Sequence, residues 1–238
     1  MAERHGRAGG RGGDALRPVT LVPGVQRSPA GSVRIDAGGT SVLIAVSVED
    51  RGPRWRDGRG WVTAEYAMLP GATDTRAARD RRGVGGRAKE IERLIGRSLR
   101  AAVDLDALPD VTITVDCDVL AADGGTRTAA ITGGWVALAL ALDAVGAPAA
   151  LTGQVGAVSV GLVDGVALLD LDQAEDNRAD VDMNVVATAD GALVEVQGTA
   201  EGAPFTRGQH DELLDLALAG CARLGDLQRE ALAAARRG

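Results

Sequence analysis

The stretch Asp116-Cys-Asp-Val-Leu-Ala-Ala-Asp-Gly-Gly-Thr-Arg-Thr-Ala-Ala-Ile-Thr-Gly-Gly-Trp135 decides how this chain is read. Its first residues alternate acid and apolar, the period of a strand with one buried face. Asp123-Gly124-Gly125-Thr126-Arg127 breaks that rhythm and opens an Ala/Leu-rich segment that reads as a helix to about Ala144. Two glycines let the backbone approach a ligand closely, and the first N–H groups of a helix have no partner within it. With the helix dipole behind it and Arg127 beside it, the junction has the makings of an anion site at Gly125, Thr126 and Arg127. The plainer reading is the start of a helix and nothing more. A Walker loop is excluded, because Lys89 is the only lysine and follows no glycine pair.

Upstream, Arg87 to Val103 is predicted as an amphipathic helix. Ile91, Leu94, Ile95, Leu99 and Ala102 form its apolar stripe, and Arg93, Arg97 and Arg100 lie on another face. Gly83-Val-Gly-Gly-Arg-Ala88 formally matches a dinucleotide fingerprint, but only Arg79-Asp-Arg-Arg82 precedes it, so no strand feeds it. Residues 32–36 and 41–48 read as two strands joined at Gly38-Gly39. The Gly/Arg-rich residues 1–17 are expected to be mobile, and His5 and His210 to be surface residues. Downstream, strands 155–163 and 166–171 flank Asp164-Gly165, and strands 180–189 and 192–197 flank Asp190-Gly191. Thr206-x-x-Gln209 fits a capping box for a closing helix that runs into the 230s. The expectation is an α/β (α+β) sandwich with mixed sheets and helices on one face. The repeated strand–turn–strand rhythm suggests one domain of 238 residues built by internal duplication, with halves of about 15–145 and 150–238.

In Asp176-Asn-Arg-Ala-Asp180-Val-Asp182-Met-Asn184, strand alternation sends Asp180, Asp182 and Asn184 to one side, with Asp176 approaching from the preceding turn. Like charges so close favour a divalent cation such as Mg²⁺, a basic partner, or open solvent. Asp116 and Asp118 form a similar pair, either a solvated strand face or a support for the site. No Ser/His/Asp or Cys/His set offers a covalent nucleophile.

Net charge is −7, yet it divides unevenly. Residues 51–100 hold thirteen basic side chains against six acidic ones, whereas residues 101–205 hold two against seventeen. The basic block suits phosphate-backbone contact and the acidic one cation binding or a solvated surface. Cys117 and Cys221 lack metal-type spacing and read as buried free thiols of a cytoplasmic protein. No apolar run approaches the roughly 18 residues of a membrane span, and no secretory signal is visible.

Leu16-Arg-Pro-Val19, Gly60-Trp-Val-Thr-Ala-Glu-Tyr-Ala-Met-Leu-Pro70, Gly86-Arg87, Arg93-Leu-Ile-Gly-Arg-Ser-Leu-Arg-Ala101, Asp116 to Gly133, Asp180-Val-Asp-Met-Asn184 and Glu195-Val-Gln-Gly-Thr-Ala-Glu201 together resemble the bacterial ribonuclease PH family, in family order and over nearly the whole chain. The resemblance implies that family's fold of two similar βαβ-type halves, and a homohexameric ring assembled as a trimer of dimers. It implies a phosphorolytic tRNA nucleotidyltransferase, in which inorganic phosphate trims the 3′ end of precursor tRNA and releases nucleoside diphosphates. Carried onto this chain, the phosphate site falls on Arg87, Gly125, Thr126 and Arg127, and the metal and catalytic acids on Asp176 and Asp182, with Asp180 between them. Arg87 is supplied by the resemblance alone. Arg76, Arg79, Arg93 and Arg97 are candidates to guide RNA or, equally, to form salt bridges. An inert RNA-binding ring subunit is the alternative. The family commonly has arginine after Met-Leu-Pro and asparagine shortly beyond, where this chain has Gly71 and Asp74; the connection at 141–153 is also short.

Overall fold

A computed structural model describes residues 7, 10–78 and 85–237; His5, Arg79 and the Gly83 end of the rejected fingerprint lie outside the described residues. Two sheets carry the architecture. The first orders its strands β1 (Val19–Pro23), β2 (Gly31–Ala37), β3 (Thr40–Glu49), β5 (Thr112–Ala121) and β4 (Trp61–Met68). Its pairs are antiparallel except β4 with β5, which run parallel because α1 (Gly86–Arg100) carries the chain back between them. The second sheet orders β7 (Val166–Leu169), β6 (Val155–Val163), β8 (Ala179–Thr188) and β9 (Leu193–Ala200), antiparallel throughout.

The stripe read on α1 is the buried one: Ile91, Leu94, Ile95, Leu99 and Ala102 are all at most 3% exposed, so this face is wholly committed to the core. Burying each of the larger side chains contributes roughly 1.5–3 kcal/mol. The helix α2 (Thr126–Ala144) is different, being apolar all round and buried along nearly its whole length. It packs on β2 and β3 of one sheet and β6 of the other, with α1 and α4 (Arg207–Ala235) alongside. Glycine makes that fit possible, since a Cβ on Gly133 would stand 2.5 Å from Ile44 Cδ1. Polar ties fix the second contact: Thr132 Oγ1 accepts the Ala157 N–H at 3.1 Å, and buried Gln228 of α4 donates to the carbonyls of Thr132 and Val155 at 2.8 and 2.9 Å. Thr206 and Gln209 form the expected reciprocal cap at the start of α4.

The N-terminal segment departs from expectation. Arg7, Arg11 and Arg17 are docked, not mobile, because two buried acids await them. Arg17 forms a forked pair with Asp170, Nη2 to Oδ1 at 2.7 Å and Nε to Oδ2 at 3.1 Å, and Oδ2 also accepts the Arg17 backbone N–H at 2.7 Å. Arg7 Nε and Arg11 Nη2 bind Glu175 at 2.7 and 3.1 Å. Strand β1, which follows this arm, was unread because it is short, lies at a sheet edge and ends on Pro23. Cys117 and Cys221 are buried and free, as expected. Among the described residues no helix is long and apolar enough to cross a membrane.

Removing one partner of a buried ion pair strands the other charge, so Arg17→Met should lower the unfolding free energy by about 3–5 kcal/mol in denaturant titration. Arg34→Met, which breaks only the exposed Arg34–Asp36 pair, should cost under about 1 kcal/mol. Equal losses would show that the Arg17 pair carries no special weight.

Candidate active site

Where β5 hands over to α2, Gly124 and Gly125 both adopt left-handed backbone, with φ of +75° and +66°. A side chain at Gly124 would be strained by that backbone and would also meet the Leu171 carbonyl at 2.6 Å. The turn is tied down from three directions. Thr40 Oγ1 donates to the Gly124 carbonyl at 2.6 Å and accepts the Asp123 N–H at 2.9 Å. Arg17 donates to the Asp123 carbonyl, and Asp123 Oδ1 accepts the Gln173 N–H at 3.2 Å.

No side chain caps the helix that follows. Gly125 occupies the cap position, and the Ala129 N–H to Gly125 carbonyl bond of 3.0 Å closes the first turn. The N–H groups of Thr126, Arg127 and Thr128 therefore face out of the helix end, as an anion site requires. Tyr66 of β4 reaches this end, its hydroxyl 2.7 Å from Thr126 Oγ1. Arg127 is steered from the second sheet: Nη1 donates to Gln197 Oε1 at 3.3 Å, Gln197 Nε2 to Glu195 Oε1 at 3.0 Å, and Glu195 Oε2 pairs with Arg97 at 3.0 Å.

The acids meet the same end of α2. Asp176 closes the one-turn helix α3 (Gln173–Asp176), whose start is fastened by a capping box between Asp172 and Glu175. The Glu175 of that box is the acid held by Arg7 and Arg11. Asp182 lies mid-strand in β8, between Gly161 and Thr199 of its neighbours. Burial and the nearby Asp176 carboxylate push Asp182 up to about 6, with Glu201 adding to the rise and Arg127 and Arg87 opposing it. Burial also raises Asp176, again against the pull of Arg127 and Arg87. Asp176, Asp182, Arg87 and Arg127 thus share one electrostatic neighbourhood.

The remaining candidates differ in placement. Asp180 is exposed and stands at a bulge, the extra residue where Ala179 and Val181 face Val163 and Leu162; the expected alternation holds, with Val181 and Met183 buried and Asp180, Asp182 and Asn184 on the less buried side. Asp116 and Asp118 lie on the face of β5 away from α2, where Asp116 is raised by burial and by Glu65. Arg76 and Arg93 are exposed, whereas Arg97 is engaged by Glu195 and Arg100 turns onto the Trp61 ring at 4.4 Å. Arg17, Thr40, Tyr66, Gln197 and Glu201 were not read from the pattern. Four of these five fall inside the quoted resemblance segments, the one sequence signal that could have marked them.

Two half-buried carboxylates that repel each other form a hard-oxygen donor set suited to Mg²⁺, which keeps water and substrate phosphate among its ligands. Among the described residues no group of three or more His, Cys, Asp or Glu side chains is disposed to hold a metal.

A bare helix N-terminus flanked by arginines and faced by paired acids, at the seam of two sheets, defines an enzyme class that handles phosphoryl groups. Comparison with known proteins narrows the class. Two models of the 3′ exoribonuclease family match, domain 1 over residues 15–142 and domain 2 over residues 153–220. Ribonuclease PH of Saccharopolyspora erythraea is 58% identical over 96% of this chain and 95% of its own length, and that of Frankia casuarinae is 59% identical over 95% and 93%. The fold is similar to the crystal structure of rice (Oryza sativa) Rrp46, at a TM-score of 0.78 with 24% identity over 95% of this chain and all of that one. A chain of the Archaeoglobus fulgidus exosome with RNA bound to the active site also scores 0.78, at 23% identity over 93% of this chain and 92% of its own. This chain belongs to the ribonuclease PH family of phosphorolytic 3′-to-5′ exoribonucleases.

The Asp182 environment has a consequence for stability. A carboxyl raised on folding from 3.8 to about 6 holds its proton more tightly in the native than in the unfolded chain. Its charge therefore opposes folding above that range, and the cost fades as pH falls. In metal-free buffer Asp182→Asn should stabilise the protein by about 1–3 kcal/mol near pH 8 and by almost nothing near pH 4. Denaturant titrations at both values check this, and an equal difference at both would contradict it.

Proposed function

We propose that the protein trims 3′ extensions of precursor tRNA by phosphorolysis at this site, with inorganic phosphate as co-substrate and Mg²⁺ as cofactor. The supporting observation is the uncapped start of α2, set with Arg127 and Arg87 against Asp176 and Asp182. Arg87 and Arg127 would hold phosphate by charge-assisted bonds while the N–H groups from Gly125 to Arg127 and the Thr126 hydroxyl take further oxygens. Anchored in this way, one phosphate oxygen is aimed at the terminal phosphodiester of the RNA, and positioning alone removes much of the barrier. Asp176 and Asp182 would hold Mg²⁺, which when bound neutralises charge at the scissile phosphate and the departing 3′ oxygen. Asp180 takes the rim of the acid cluster.

No covalent intermediate enters. Cys117 is buried and its thiol raised, and burial pushes Cys221 up to about 12, so neither is a nucleophile at neutral pH. Arg76, Arg79 and Arg93 would guide the RNA 3′ end, and Arg97 would act mainly through Glu195. Gly71 and Asp74 make the loop beyond Met-Leu-Pro less positive than the resemblance leads one to expect, which should weaken tRNA affinity more than chemistry. Assembly as a cytoplasmic homohexameric ring, a trimer of dimers, fits membership of the family. We read the two halves as one duplicated unit.

RNA carrying a 3′ extension, incubated with Mg²⁺, should release nucleoside diphosphates only when inorganic phosphate is supplied. Nucleoside monophosphates would point to hydrolysis and overturn the reading. Arg127→Ala should raise the phosphate KM roughly tenfold to a hundredfold, the scale of a lost charge-assisted hydrogen bond. Asp182→Asn should lower kcat by at least about a hundredfold while RNA binding persists. Unchanged constants in steady-state assays would remove these residues from the site.

A further inference from the structure

Tyr66 is the only tyrosine of the chain, and its hydroxyl has one partner that points to a function. The ring comes from β4, opposite Cys117 of β5, and is 6% exposed, so its oxygen cannot turn freely to water. Its hydroxyl lies 2.7 Å from Thr126 Oγ1, at the first residue of α2. Arg127 and Arg87 both act on that hydroxyl, which places it in the same neighbourhood as the acids.

A hydroxyl has one proton and two lone pairs, so a Tyr–Thr pair can be arranged in two ways. If Thr126 donated to Tyr66, its lone pairs would face an anion arriving at the helix start, and the contact would be repulsive. If Tyr66 donates, the Thr126 proton is left free to point at the anion. The phenol is the more acidic hydroxyl and hence the better donor; burial raises its pKa and so keeps the proton on it, against the opposing pull of the Thr126 bond, Arg127 and Arg87. We infer that Tyr66 is a positioning residue for the attacking phosphate: it donates to Thr126 Oγ1 and so commits the Thr126 proton to the bound oxyanion. This rests on the phosphate site proposed above.

Tyr66→Phe keeps the ring and removes only the donor. It should raise the phosphate KM about tenfold, the scale of one weakened hydrogen bond to a charged group, while kcat at saturating phosphate and the KM for RNA stay within about twofold. In a Thr126→Val background the same substitution should add nothing. An unchanged phosphate KM, a fall in kcat alone, or the same increase in both backgrounds overturns the inference. A purely structural bond would lower the melting temperature without moving the phosphate KM, and that result also overturns it. If wild type is phosphate-dependent and Arg127→Ala impaired, yet Tyr66→Phe is normal, only the Tyr66 assignment falls; if wild type ignores phosphate, the site and the assignment fall together. A second measurement needs no variant of Tyr66. Tyrosine labelled with ¹³C at Cζ alone gives a single NMR resonance in this chain, which should shift when inorganic phosphate saturates wild type and stay fixed in Arg127→Ala; an unmoved wild-type resonance counts against the inference.

Discussion

The buried fork between Arg17 and Asp170 is the constraint on which the site depends. Asp170 sits at positive φ, +55°, at the end of β7 in the second sheet, whereas Arg17 precedes β1 of the first. The same guanidinium donates to the Asp123 carbonyl at the turn before α2. One side chain thus locks the two sheets to the turn whose N–H groups must face outward. A buried pair of this kind is costly to desolvate, and its return is uniqueness of arrangement more than net stability. Arg7 and Arg11 extend the logic by neutralising Glu175, the partner of the Asp172 cap in the capping box of α3 and the neighbour of Asp176.

The proposed oxyanion cradle and the acid pair come from different halves of the chain. Asp176 and Asp182 belong to the second sheet and its preceding turn, Thr126 and Arg87 to helices that follow strands of the first. Arg127 is the link, since Gln197 and Glu195 of β9 hold it from across the seam. The division of charge along the sequence is therefore functional only in part. Arg100 goes to an aromatic face and Arg97 to Glu195, so not every cation of the basic block is available to a polyanion.

Much of this was legible beforehand. The apolar stripe of α1 and the alternation in β2, β3, β5 and β8 matched the buried faces, because both patterns are local consequences of helix and strand periodicity, whereas β6 is buried on both faces. Thr206 and Gln209 marked a helix start for the same reason. What stayed hidden was non-local. Arg7, Arg11 and Arg17 looked like a flexible tail because their partners lie more than 150 residues away. The bulge at Asp180 was hidden as well, because it is set by pairing with β6 and not by local spacing. Tyr66 carried no signal of its own beyond the resemblance segment that contains it, since its bond to Thr126 links residues 60 positions apart.

The most direct test is structural. Crystals soaked in tungstate, an oxyanion of phosphate's shape with a strong anomalous signal, should show one bound anion touching the N–H groups at Thr126 and Arg127, the Arg87 and Arg127 guanidinium groups and Thr126 Oγ1, next to Asp182. An anion lodged elsewhere on the arginine-rich surface, with the start of α2 left bare, would contradict the account.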